Sequence, residues 1–451
     1  MNCYRAGIGG WTPAVVLWSM TCIAAASAVA SENTVPHERR QRAAAAFHDG
    51  ILLFHANSEM DLTADGFRQN PHFYYFTGLA NTVGAVLAID GRSGESWIFL
   101  PSKPPFSKTG LKPEVQPGAE AEKRLDIEHV VDWAEMEGFF ASRAGQSRTL
   151  YFSEDDTKFP ELPPNLLSPK SPQAPVWLQI ILARWPGYEA RESGNEIDAL
   201  LAVQNPEEIA ELRSAAKATV TALMAGMRAI RPGVSQRSVE AVVENTCWKA
   251  GAHGTASWPW AMAGENAVFP RPFASSALYD HLDRNMRSGE LVRLDVGCEQ
   301  QHYMGDLGRT VPVSGRFDDD QRETWTIFVA AYRAGVGALR DGVTVDQVFD
   351  AWSAELLRHR GSAKSQLAQH AIDSWSVRKG VPFWQVHTTN LIAGLPMGPL
   401  KQGTTINFEP IASVDGQGFF LEDTYLIVKD GCELLTPGVP YSAREIEAAM
   451  E

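Results

Sequence analysis

The chain has 451 residues, with 54 acidic against 40 basic side chains and a formal charge of −14. A hydrophobic share of 44% supplies enough apolar surface for a large folded core, which excludes a disordered chain. The acidic balance argues against a nucleic-acid partner, which needs a basic face, and against electrostatic docking to anionic lipid.

Residues 1–30 read as a secretory signal peptide. Arg5 is their one charge, an apolar run follows from Trp11, and Ala28-Val29-Ala30 forms a small-x-small exit before Ser31-Glu32. This implies a secreted or periplasmic protein. An N-terminal membrane anchor is the second reading, because the uncharged residues 6–31 are long enough to span a bilayer. Pro13 and the many small residues favour cleavage. Beyond this segment stand Cys247, Cys298 and Cys432, widely spaced and odd in number. They exclude a disulfide framework and a Cys-x-x-Cys metal site, and allow at most one disulfide.

Residues 31–190 read as a mixed α/β domain, 191–204 as a linker and 205–451 as a second domain, which makes the chain α/β overall. Residues 50–54, 85–89 and 95–100 are apolar runs bounded by turn signals and are expected as strands. Residues 101–125 and 155–175 are rich in Pro and Lys and are expected as loops. Asn205-Pro206-Glu207-Glu208 then opens a helix with a cap, a first-turn proline and two acids at the positive end of the helix dipole. Its apolar stripe runs through Ile209, Leu212, Ala216, Val220, Leu223 and Met227 until Arg231-Pro232-Gly233 stops it. A second long helix is expected over residues 319–339.

Four acids fall at matched places on two expected hairpins. Residues 291–297 and 303–311 read as strands, and pairing Asp295 with Asp306 centres their turn on Gln300-Gln301. Pairing Glu409 with Glu422 centres a second turn on Asp415-Gly416, the strongest short hairpin signal. Two acids opposite one another in apolar strands repel, and burial raises the cost, so a proton or a cation must stand between them. Two pairs with one histidine suit two divalent ions, and oxygen-rich ligation with one imidazole suits Mn, Zn or Co. The bland alternative makes these acids surface residues or ion-pair partners of Arg293 and Arg309.

These segments resemble the Xaa-Pro aminopeptidase/prolidase family of creatinase-like "pita-bread" metallopeptidases. Asp295 followed by Asp306 and then by Arg309-Thr310-Val311-Pro312 resembles the family's first two ligand segments. Phe408-Glu409-Pro410 and Leu421-Glu422-Asp423 resemble the last two, and Gly264-Glu265-Asn266-Ala267 an upstream stretch. Residues 67–78 resemble a segment of its N-terminal, creatinase/aminopeptidase P-like domain. The resemblance implies a pita-bread catalytic domain, proline-containing peptides as partners and a homodimer. It also implies a hydroxide bridging two divalent metals that attacks the scissile carbonyl. Asp295, Asp306, Glu422, Glu409 and a histidine would be the ligands, with Glu409 also shuttling a proton. A dipeptidase on Xaa-Pro is the near alternative, and a binding protein on a catalytically impaired site is the distant one.

The histidines depart from the family pattern. His387 is the one histidine between His370 and the C-terminus, and it reads as the ligand. A second register makes it the downstream, substrate-side histidine and leaves Gly380 at the ligand position. Upstream, His281 or Arg271 stands in for a substrate-binding histidine, and His302 falls in the expected turn, exposed. Arg309 is a third expected substrate contact. Trp258, Trp260, Phe269 and Phe273 suit either a proline pocket or the core. Nucleophile-elbow, Walker, His-Glu-x-x-His and Rossmann motifs are absent.

Overall fold

The computed structural model describes residues 34–58, 67–103, 107–144, 148–153, 174–274, 278–381, 383–391, 394 and 398–451. The signal-segment reading and most of the expected 155–175 loop lie outside them. Among the described residues no helix is long and apolar enough to cross a membrane.

The first sheet contains β1 (Gly50–His55), β2 (Val86–Asp90), β3 (Ser96–Leu100), β4 (His129–Asp132), β5 (Arg148–Phe152) and β6 (Tyr188–Glu192), in the order β4-β3-β2-β1-β5-β6. The three central strands pair antiparallel, while β4, β5 and β6 join parallel. Leu52, Phe54, Leu87 and Ile89 enter one core, and Ile51, Leu53, Val86 and Ala88 the other. Both faces are therefore covered, which explains the unbroken apolar runs in the sequence. The expected 101–125 loop contains a helix, Ala119–Leu125, closed by Asp126 in a left-handed conformation.

The second sheet contains β7 (Trp260–Ala263), β8 (Leu291–Val296), β11 (Leu307–Pro312), β12 (Phe383–Thr388), β13 (Thr405–Val414), β14 (Gln417–Val428) and β15 (Gly431–Leu434). Its order is β12-β13-β14-β11-β8-β7, with β15 beside β14. Two short strands, β9 (Glu299–Gln300) and β10 (Tyr303–Met304), pair separately. Helices Pro206–Ala229 and Asp319–Ala338 are each opened by a full capping box, from Asn205 with Glu208 and from Asp318 with Gln321. Their apolar faces pack on one side of the sheet, against Leu294, Val296, Phe408 and Leu421.

The two sheets share a core. Leu212, Tyr303, Leu391 and Leu426 pack with Phe73, Tyr75 and Phe76 of the first domain. Arg39 reaches across to Glu208 at 2.7 Å, and Arg68 to Glu299 at 3.0 Å. The Arg39–Glu208 pair is buried, so each ion depends on the other for neutralisation.

Candidate metal centre

Residues opposite one another on paired strands share a face of the sheet. The register lines up Trp260, Asp295, Gly308 and Glu422 across β7, β8, β11 and β14. Glu409 continues the row, since its neighbours Phe408 and Ile411 pair with Asp423 and Phe420, and Gln385 of β12 lies beyond it. In the adjacent row His387 pairs with Asn407, and Asn407 with Thr424. This face is the one opposite the sheet's two long helices. Gly308 keeps the row open: a Cβ there would lie 1.8 Å from Cε1 of Phe420.

The second hairpin has the expected register, with Asp415 and Gly416 both at positive φ (47° and 76°) in the turn. The first does not. Asp295 stands opposite Gly308, so Asp306 falls two residues nearer the turn. A shift of two preserves the face, and the acids still meet. The turn sits at Gln301-His302, both at positive φ, one residue later than expected. Gly305 lies where a Cβ would be 2.2 Å from Thr219 Oγ1, so the chain tucks against helix Pro206–Ala229 before β11 begins. His302 is correspondingly not exposed: its side chain keeps 15% of its surface and its ring lies 4.3 Å from that of Tyr74.

His387 Nε2 lies 3.3 Å from Glu422 Oε1 and 3.6 Å from both Asp306 Oδ2 and Glu409 Oε2. Two groups of donor atoms each fit within 4.8 Å: Asp306, His387 and Glu422, and Asp295, Glu409 and Glu422. Glu422 is common to both groups, while Glu409 falls with Asp295. His387 Nδ1 is 3.1 Å from the Thr388 carbonyl. Donation there leaves the Nε2 lone pair aimed at the acids. Asn407 Nδ2 donates to Glu422 Oε1 at 2.8 Å and to the Asp306 carbonyl at 3.1 Å, which Thr424 Oγ1 also reaches at 2.8 Å.

Asp295, Glu409 and Glu422 are buried, and Asp306 keeps 25% of its side-chain surface open. Burial, reinforced by the Glu409 charge and opposed by Arg293, pushes Asp295 up to about 7. Burial and then the Asp295 charge raise Asp306 to about 8, and burial with the Asp306 charge lifts Glu422 well above the carboxylate range. Glu422 Oε2 is buried without a hydrogen-bond partner among the described residues. A lone pair on imidazole facing three carboxylates, with one oxygen unsatisfied, is a donor set that wants cations. Hard oxygens with one imidazole fit divalent metals with bonds of about 2.0–2.2 Å.

The other sequence candidates lie elsewhere. Arg309 is corrected: it faces the helix side, fully buried, with Nη2 3.0 Å from Asp423 Oδ1 and Nη1 on the Glu422 carbonyl at 2.7 Å. One residue off Gly308, it points away from the site and braces β11 and β14 from behind. Arg271 is exposed, 3.0 Å from Glu265, and His281 is exposed on the short helix Tyr279–Leu282. Neither touches the acids. Gly380 sits in a turn where a Cβ would strike the Ser374 carbonyl, apart from the row. Trp260 lines the row and Trp258 is 41% exposed, while the Phe273 side chain lies outside the described residues.

Sequence reading missed three residues of the site. Arg293 was visible only as a generic ion-pair partner, yet its Nη2 lies 2.6 Å from Asp295 Oδ2 and 3.5 Å from Glu409 Oε1. Asn407 and Thr424 stand two residues from Glu409 and Glu422. Strand alternation alone would have put them on the same face.

Residues 210–429 match Metallopeptidase family M24, and residues 37–151 match the Aminopeptidase P, N-terminal domain family. The chain is 26% identical to an Xaa-Pro aminopeptidase of Escherichia coli (strain K12), over 88% of this chain and 93% of that protein. It is 28% identical to an Xaa-Pro dipeptidase of Pyrococcus furiosus, over 55% and 67%. The fold is that of the proline aminopeptidase P II structure from Yersinia pestis, with a TM-score of 0.73, 21% identity and coverage of 93% and 99%. E. coli aminopeptidase P with the inhibitor Pro-Leu gives a TM-score of 0.72 at 22% identity, covering 92% and 97%. With the carboxylate–imidazole cluster inside the matched segment, residues 210–429 form a Metallopeptidase family M24 domain, and an Aminopeptidase P, N-terminal domain precedes it at residues 37–151.

Proposed function

We propose that the protein is a metal-dependent peptidase that releases the N-terminal residue preceding proline. Asp295, Asp306, His387, Glu409 and Glu422 would hold two divalent ions, with Mn, Zn or Co suited to the donors. The observation that carries this reading is the convergence of four carboxylates and one imidazole on the face of the second sheet opposite its two long helices. When bound, the ions supply Lewis acidity toward the scissile carbonyl and acidify a water molecule.

The chain's own residues do the rest. Glu409 stands between His387 and Arg293, within 3.6 Å of each, and is the group placed to take and return a proton. Asn407 and Thr424 hold Glu422 and the Asp306 backbone, so the donors are set before substrate arrives. The surplus of acids favours the cationic N-terminus of a peptide. Trp260, level with Asp295 in the row, would supply an apolar wall for the proline ring.

Likeness over 88% of the chain to an Xaa-Pro aminopeptidase, against 82% for an Xaa-Pro dipeptidase of Pyrococcus horikoshii, makes aminopeptidase action the first reading and dipeptidase action the second. A homodimer, with the first domain forming the contact or gating the site, is part of the same reading. The Cys247–Cys298 disulfide supports secretion to an oxidising compartment by the N-terminal signal segment. Hydrolysis of an Xaa-Pro-Xaa tripeptide and an Xaa-Pro dipeptide, with Mn or Zn and after chelation, tests the proposal. Chelator-sensitive release from the tripeptide is expected. No release from a folded, monodisperse sample with any metal would favour a binding protein.

A further inference from the structure

Arg293 is a buried charge that the ligand set does not require. It is fully buried on β8, two residues before Asp295 and on the same face. Its guanidinium lies between two rings, 4.2 Å from the centroid of Phe420 and 5.1 Å from that of Trp260. Nη2 meets Asp295 Oδ2 at 2.6 Å and Glu409 Oε1 at 3.5 Å, while Nε and Nη1 have no hydrogen-bond partner among the described residues. A buried arginine pinned by two aromatic faces cannot swing away to water, so its charge is a fixed part of the site.

The two donor groups therefore differ. Asp306 and Glu422 meet the His387 imidazole, and Glu422 also the Asn407 amide. Asp295 and Glu409 already face a guanidinium. We propose that Arg293 is a resident counter-cation for the Asp295–Glu409 half of the centre. It neutralises those acids when that half holds no ion, and it weakens the divalent ion that binds there. Such an ion would share the Asp295 carboxylate with a short charge-assisted hydrogen bond and stand near a positive charge that cannot leave. The inference rests on the two-metal reading above and adds which ion is held less tightly and which residue decides it.

The test is stepwise binding of Mn(II) or Co(II) to the chelated full chain, followed by calorimetry, with metal content measured after gel filtration. The wild type is expected to take up ions in two resolved steps, the second weaker. Arg293→Met should tighten the second step by about 10- to 100-fold and leave the first unchanged, the size expected when a repelling unit charge a few ångströms from a cation is removed from a partly screened site. Arg293→Gln removes the charge but keeps a shorter polar donor. It should move the same way, and it carries the test if the Met variant does not fold. Arg293→Lys keeps the charge and should retain the weak second step. An unchanged or weakened second step in both neutral variants would overturn the inference, because Arg293 would then serve only to orient Asp295. A wild type that binds no divalent ion would instead overturn the two-metal reading itself.

Discussion

The two hairpins that carry the acids reach the same face by different means. In β13–β14 a two-residue turn at Asp415-Gly416 takes the left-handed conformation that hairpin twist demands, and pairing continues from it past Glu409 and Glu422. In β8–β11 ten residues separate the strands, between Val296 and Leu307, and they include a second small hairpin and the Cys298 half of a disulfide. A tight turn sets register locally, whereas a longer connection lets contacts with the neighbouring helix set it. The first hairpin tolerates that freedom because a slip of two residues leaves every acid on the metal-binding face.

The largest expected effect follows from what the hairpins share. Glu409→Ala should lower hydrolysis of an Xaa-Pro-Xaa peptide by at least about 10³-fold, near the upper range for a lost acid–base group, with the melting profile retained. An active Glu409→Ala protein would place the proton chemistry elsewhere.

Next comes the prop that only the first hairpin has. The disulfide joins Cys298, beside β8, to Cys247 of helix Gln236–Lys249 across 51 residues. Its removal by Cys247→Ala with Cys298→Ala should cost about 2–5 kcal/mol of stability, read as a fall in denaturant midpoint. Metal affinity should fall with it if the disulfide also holds the Asp295 strand in place.

Smaller changes separate the hairpins further. Gly308→Ala forces a Cβ into the Phe420 ring and should destabilise by about 1–3 kcal/mol, with loss of bound metal as Phe420 shifts against Arg293. Gly416→Ala puts a side chain at φ 76° in an open turn. It should cost about 1–2 kcal/mol and leave metal stoichiometry intact. Equal metal loss in both variants would remove the distinction between a site residue and a turn residue.

The pH response concerns both hairpins. Asp306, raised to about 8, and Glu422, raised well above the carboxylate range, hold protons in the folded metal-free chain that the unfolded chain has already lost. The unfolded state then binds fewer protons, so metal-free stability should fall as pH rises from about 4 through 8. Bound cations replace those protons, so the metal-loaded protein should show a shallower slope in thermal melts across the same range. A parallel slope in both forms would contradict the placement of cations among these acids.

Much of this was legible in the sequence because it is local. The Asn205 cap, the Asp415-Gly416 turn and the apolar runs of the first sheet each declare themselves within a few residues. The register of β8 on β11 did not, because it depends on Gly305 packing against Thr219, far away in the chain. Arg309 misled for a different reason: it stands three residues from Asp306, and strand alternation already turns it to the opposite, helix side. Arg293 was readable as an ion-pair partner, but its burial between Phe420 and Trp260 needs β7, β8, β11 and β14 side by side.

The most direct test of the central claim is release of the first residue from a short Xaa-Pro-Xaa peptide by the purified chain, with Mn or Zn and again after chelation. The account predicts cleavage before proline that chelation abolishes and added metal restores. Cleavage unaffected by chelation, or none from a folded sample that has bound its metal, would contradict it.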